Sequence, residues 1–173
     1  MMEFRKLRED EIEVKVKQVT EKGALLLLYK TARTDMDLLD ETVGSERWTN
    51  DYKEIDGVLY CGIGILFQRG DSPIREWVWK WDCGVESNVE KEKGQASDAF
   101  KRAGFRWGIG RELYTAPFIF VPADKVNITT GNGKPKTYDG FRVEKIAYSG
   151  NNISGLSIIN EKIGKRCFVW QSN

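Results

Sequence analysis

Residues 58–81 read VLYCGIGILFQRGDSPIREWVWKW. Strand side chains point alternately to opposite sides, so Leu59, Cys61, Ile63, Ile65 and Phe67 share one face and Gly62 and Gly64 the other. The turn RGDSP leads into residues 74–81, where Trp77, Trp79 and Trp81 again share a face. Two glycines on one strand face let another element approach closely, and a helix laid across the sheet would serve. Three indoles are a large apolar area to leave wet. They are therefore assigned to the core or to a subunit contact, although such a row also suits base stacking.

Working outward, residues 47–55 end at Asp56-Gly57, a hairpin signal that adds a third antiparallel strand. Further upstream, residues 11–18 (EIEVKVKQ) alternate as a strand with one wet face. The turn 20–23 then leads to ALLLLYK (residues 24–30), whose unbroken apolar run predicts burial on both faces. Residues 31–43 read as a helix with Met36, Leu39 and Val43 inward and Gly44 at the C-cap. Downstream, a long helix is expected over 89–107 and an exposed polar loop over 124–140. A meander of strands (141–148, 153–160, 166–170) closes the sequence. This order predicts an α+β fold: a mostly antiparallel sheet packed against a long helix, with a short strand-rich C-terminal extension. At 173 residues the chain is read as one domain, with a core over 10–115 and a loop and strand-rich extension over 117–173.

Composition narrows the chemistry. No histidine is present, which removes His-based zinc sites, Ser-His-Asp triads and Cys-His pairs. Residues 131–137 (GNGKPKT) lack phosphate-loop spacing, and Pro135 stands where a hydroxyl residue should open a helix. Asp35, Asp37, Asp40 and Glu41 cluster on one helix, an ordinary solvated pattern that nothing completes into a metal site. Cys61, Cys83 and Cys167 are odd in number and lack CxxC spacing, which fits a reduced compartment. The start MMEFRKLREDEIEVKVK has no apolar run. No secretory signal or membrane span is expected, and the location expected is cytoplasmic. The Asn127-Ile128-Thr129 and Asn152-Ile153-Ser154 triplets and the RGD of residues 69–71 then read as coincidences.

Charge is concentrated where the second helix is expected. The chain carries +1 overall, yet residues 91–111 hold six cations (Lys91, Lys93, Lys101, Arg102, Arg106, Arg111) against Glu92 and Asp98. On a helical projection Ala96, Phe100, Ala103 and Trp107 fall within an arc of about 60°. Lys91, Lys101, Arg102 and Arg106 lie roughly opposite. Asp98 stands i−3 from Lys101 and i−4 from Arg102, the arrangement of an ordinary ion-paired solvated face. The same cations on a rigid element also suit a phosphate backbone, or an anionic protein partner.

Residues 84–114 (GVESNVEKEKGQASDAFKRAGFRWGIGRELY) resemble the signature helix of the Rad-fifty-two/Rad-twenty-two family of single-strand annealing proteins, in its phage or bacterial type. A second block, residues 32–44 (ARTDMDLLDETVG) followed by Trp48 and the strand ending in residues 60–65 (YCGIGI), resembles the same family in the right order. The resemblance implies a β-β-β-α annealing core over residues 10–115, a homo-oligomeric ring, and single-stranded DNA held along a cationic groove. It implies annealing of complementary strands in recombination or repair with no ATP, cofactor, metal or catalytic residue. A phage-encoded protein would work in the bacterial host cytoplasm, and a host or phage single-strand binding protein would be a partner. The family's DNA-contacting Lys-Arg pair corresponds to Lys101-Arg102. With Arg106 and Lys91 on the same face, and with Arg33 and Lys80, these are the expected DNA-binding residues.

Each of these has a plainer reading. Arg33 is spaced to pair with Asp37; Lys80, with Val78 and Asp82, is expected on the open face of the sheet; Arg111 could cap helix carbonyls. Arg75 shares the tryptophan face, and Lys134, Lys136 and Arg142 would add a second contact near the polar loop. Two other functions compete with annealing: a passive single-stranded DNA-binding protein, and a protein-interaction domain whose basic helix meets an acidic partner.

Overall fold

Alternating and unbroken apolar runs become strands, and the two helical patterns become helices. The computed structural model describes residues 2–68, 70, 74–84, 91–131 and 133–172, without the side chains of Lys91, Glu92 and Lys93. Its strands are β1 (Glu13–Thr20), β2 (Gly23–Tyr29), β3 (Trp48–Ile55), β4 (Val58–Gln68), β5 (Arg75–Cys83), β6 (Ile119–Pro122), β7 (Thr129–Gly131), β8 (Lys134–Lys136), β9 (Phe141–Ser149), β10 (Asn152–Asn160) and β11 (Lys165–Gln171). The helices are α1 (Ala32–Val43) and α2 (Lys91–Trp107). Every strand pair is antiparallel, so the class is α+β with mostly antiparallel sheets and two α-helices.

The chain divides into two compact units, Met1–Lys6 with Thr31–Gly110 and Leu7–Lys30 with Arg111–Asn173. The first two strands thus group with the C-terminal segment rather than with residues 31–110. Their hydrogen bonds give the reason: β1 pairs with β2 and β9, and β2 pairs with β6.

In the first unit, Thr31 Oγ1 accepts from the Thr34 N–H at 3.1 Å and starts α1. Gly44 ends it at φ 90°, its N–H donating to the Asp40 carbonyl at 3.1 Å. The buried face is Thr34, Asp35, Leu38 and Leu39, whereas Met36 is exposed. This corrects the expected Met36-Leu39-Val43 stripe. Two adjacent leucines bury more apolar area than Met36 and Val43, so they set the helix rotation.

The sheet β3-β4-β5 carries α2 on its Cys61-Ile63-Ile65 face, where Ala99, Phe100 and Ala103 are buried. Trp107 Nε1 donates to the Ile63 carbonyl at 2.9 Å, and its ring stacks on Phe67 at 5.9 Å. Of the expected stripe on α2, Phe100 and Ala103 are buried and Ala96 and Trp107 half-buried, and Ala99 joins the covered face. The role expected of Gly62 and Gly64 is not what the structure shows. They are the cross-strand partners of Trp81 and Trp79, and the indoles lie over them. A Cβ would sit 2.4 Å from the Trp81 ring at Gly62 and 2.7 Å from the Trp79 ring at Gly64. The glycine that lets the helix approach is Gly84, where a Cβ would lie 2.2 Å from the Gln95 carbonyl oxygen.

In the second unit six strands run β11-β10-β9-β1-β2-β6. Ala24 and Leu26 of β2 are buried while Leu25 and Leu27 are half-buried, so this strand has one covered face rather than two. The stretch 124–140, expected as a loop, contains the hairpin β7-β8 (Thr129↔Lys136, Gly131↔Lys134). The C-terminal strands follow the expected meander. The buried Asp139 ties the connections together, accepting from the Asn127 N–H at 2.8 Å and from Asn160 Nδ2 at 2.7 Å.

Candidate nucleic-acid interface

The cationic side of α2 begins with residues placed by its buried stripe. Phe100 and Ala103 face the sheet, which turns Lys101 and Arg102 from it and leaves Arg106 at its flank, within reach of β5. Arg102 Nε donates to Asp98 Oδ2 at 3.0 Å, and Lys101 Nζ stands 3.9 Å from Asp98 Oδ1. Arg106 Nε donates to Asp82 Oδ2 at 2.9 Å. The arginine side chains remain 42% and 60% exposed and that of Lys101 21%, so a phosphate reaches the guanidiniums more readily than the ammonium. Three cations of the helix are thus met by two carboxylates, Asp98 of α2 and Asp82 of β5. Lys91 is the first residue of α2, and its side chain lies outside the described residues.

Lys80 is not on the open face of the sheet, where it was expected. It shares the helix-covered face, its Nζ donating to the Arg106 carbonyl at 3.1 Å and sitting 4.2 Å over the Trp107 ring. A cation at a helix C-terminus is stabilised by the helix dipole, which accounts for a lysine inside an aromatic strand. Arg33 is exposed in the first turn of α1 and makes no ion pair with Asp37 or any other described residue. The helix breaks where expected, at Gly108 (φ 101°) and Gly110 (φ 71°). Arg111 opens the short turn Arg111–Thr115 and is exposed.

The opposite face of β3-β4-β5 is the open one. Trp77, Trp79 and Trp81 run along it with ring centroids 6.4 and 5.7 Å apart. Trp77 is 44% and Trp79 37% exposed, so the row is not part of a core in this chain. Lys53, across the sheet on β3, holds its ammonium 4.3 Å over the Trp81 ring. Sequence reasoning passed over Lys53; its register opposite Tyr60, one strand from Cys83, becomes visible only once β3 and β5 flank β4.

Other reactive groups are committed. Asp40 accepts from Trp48 Nε1 at 2.6 Å and Glu41 from Arg5, so the acidic cluster of α1 serves local structure. Burial pushes the Cys61 thiol up to about 11 and the Tyr52 hydroxyl up to about 12, so Cys61 holds no thiolate at neutral pH. The three cysteines are free thiols. Among the described residues no group of His, Cys, Asp and Glu could hold a metal ion, and no helix is long and apolar enough to cross a membrane. No family model, no curated protein and no solved structure matches the chain.

Proposed function

We propose that this protein binds single-stranded DNA along the outer face of α2 and anneals complementary strands without nucleotide hydrolysis, as a ring-forming homo-oligomer of the Rad-fifty-two type in recombination or repair. The observation that supports the proposal is a rigid helix, seated on β3-β4-β5 through Phe100 and Ala103, that carries Lys101, Arg102 and Arg106, the two arginines with 42% and 60% of their side chains exposed. The three-strand sheet followed by α2 has the element order that the family resemblance implies for an annealing core. Annealing requires that two polyanions approach, so their repulsion must be screened while base edges stay available. Contacts from arginine and lysine to phosphates meet both demands. Arg33 is a further exposed cation, and Lys80 holds the end of α2 through the Arg106 carbonyl.

A specific observation favours a second reading, a protein-interaction domain. Asp98 already engages both Lys101 and Arg102, as a solvated helix face would. The Lys101→Ala/Arg102→Ala double variant separates the two. Alanine is the better helix former, which offsets the packing lost with the largely covered Lys101 stem, so the fold should persist. The DNA-binding reading expects a severe loss of oligonucleotide affinity in fluorescence anisotropy, with an unchanged circular dichroism melt and mass. Unchanged affinity in an intact particle overturns it and leaves a surface pair worth under about 1 kcal/mol.

A further inference from the structure

We infer that the open face of β3-β4-β5 is a base-stacking platform, so that the two sides of one sheet divide the work. The α2 side takes phosphates and the tryptophan side takes bases of single-stranded nucleic acid. This rests on the DNA-binding reading above and adds to it a site of different chemistry.

The argument starts from Gly62 and Gly64. Any side chain at either position would collide with an indole, so the two glycines exist to let Trp81 and Trp79 settle onto the strand. The rings form an ordered row, 23° between the planes of Trp79 and Trp81 and 37° between those of Trp77 and Trp79. Such a row, still 44% and 37% exposed at Trp77 and Trp79, is organised but not covered. Its ring spacings of 6.4 and 5.7 Å exceed the ~3.4 Å that each nucleotide of a duplex strand advances along the helix axis. A strand seated there would be stretched, with a separate indole for each of three bases, and every base has a π-face to offer.

Charge decides the occupant. Lys53 stands over Trp81, and Arg75 continues the same face at the start of β5, beside Gln68. Neither makes an ion pair with a described residue, whereas the cations of α2 share Asp98 and Asp82. Asp51 is the acidic residue of this face, and its carboxylate accepts the Tyr52 N–H at 2.9 Å. An aromatic row bracketed by two such cations suits a polyanion carrying flat rings better than an apolar surface of a second copy.

Tryptophan fluorescence tests this directly, using a short oligothymidylate and an abasic oligomer of the same length. The platform expects quenching by oligothymidylate and binding of the abasic oligomer without quenching. Trp77→Ala and Trp79→Ala should each weaken oligothymidylate affinity about tenfold while leaving the salt dependence unchanged, because stacking releases no counterions. Trp77 pairs with Leu66 rather than a glycine, so Trp77→Ala disturbs little packing and decides the matter if Trp79→Ala unfolds. Equal quenching by the abasic oligomer overturns the proposal. So does unchanged affinity in the Trp77 variant, or a smaller particle that still binds DNA at full affinity, which would give the face to a second copy. Loss of affinity in the Trp variants with none in Lys101→Ala/Arg102→Ala would remove the helix site and keep the platform; the converse would do the reverse. A wild type that binds neither oligomer removes both.

Discussion

Asp139 shows how a single side chain holds several loops of the second unit. Burial pushes its carboxyl up, but hydrogen bonds from the Asn127 backbone, the Asn160 amide and the Asn127 amide outweigh that, and with Lys162 they hold it below the usual aspartate range. Protonation is therefore harder in the folded state than in the unfolded one. The resulting stability is fully present above the unfolded value of about 3.9, and is lost as pH falls through the lower folded value. Asp139→Asn replaces an acceptor by an N–H facing donors, and should cost about 2 kcal/mol at pH 7. Urea unfolding at pH 7 and pH 3 checks this: the gap between variant and parent should be narrower at the lower pH. A difference equal at both would mean that packing, not charge, is what Asp139 supplies.

At the scale of elements, α2 depends on Lys80 as much as on its own sequence. Its ammonium is held by the Arg106 carbonyl and the Trp107 ring, and the prediction is that it serves the helix more than DNA. Lys80→Met keeps the stem and removes the charge, so it should lower stability by about 1 kcal/mol and change oligonucleotide affinity less than about twofold. A thermal melt beside anisotropy measures both, and unchanged stability with lost affinity would return Lys80 to the DNA surface. The strands and both helices were legible because hydrophobic period and turn residues act locally: Asp56-Gly57, Gly44 and the Gly108-Ile109-Gly110 break each fall at an element end. What the sequence concealed was which side of β5 the helix covers. Alternation groups Lys80 with Val78 and separates both from the tryptophans, but both faces carry aromatic or apolar residues, and only packing chooses between them. The rule that charge marks the wet face failed because helix carbonyls and an indole can satisfy a lysine under a helix. The β7-β8 hairpin and β6 were hidden for a related reason, since three- and four-residue strands take their order from neighbours rather than from their own period.

For the whole molecule, the near-neutral total of +1 sets a limit on what one copy can do with a polyanion. Lys101, Arg102 and Arg106 offer about three phosphate contacts, which for single strands gives a slope of log affinity against log salt near −2. Assembly into the proposed ring would remove that limit. The sheet β3-β4-β5 ends in two edge strands, and β3 is exposed along nearly its whole length, the kind of edge that another copy can cover. If β5 of one copy meets β3 of the next, the contact is head-to-tail and closes only as a ring, repeating α2 at regular intervals. The slope should then steepen as the oligonucleotide lengthens, until the strand spans the particle, and annealing should proceed in EDTA without ATP. Anisotropy titrations at several salt concentrations, over a ladder of oligothymidylate lengths, give the slope; light scattering on the same samples gives the mass. A slope that stays near −2 at every length, in a particle with the mass of one chain, would rule out the assembled track and leave a monomeric binder. A steepening slope in a larger particle, reduced by about 1.4 per subunit engaged when Lys101 and Arg102 are both replaced by alanine, is the result that a repeated helix face requires.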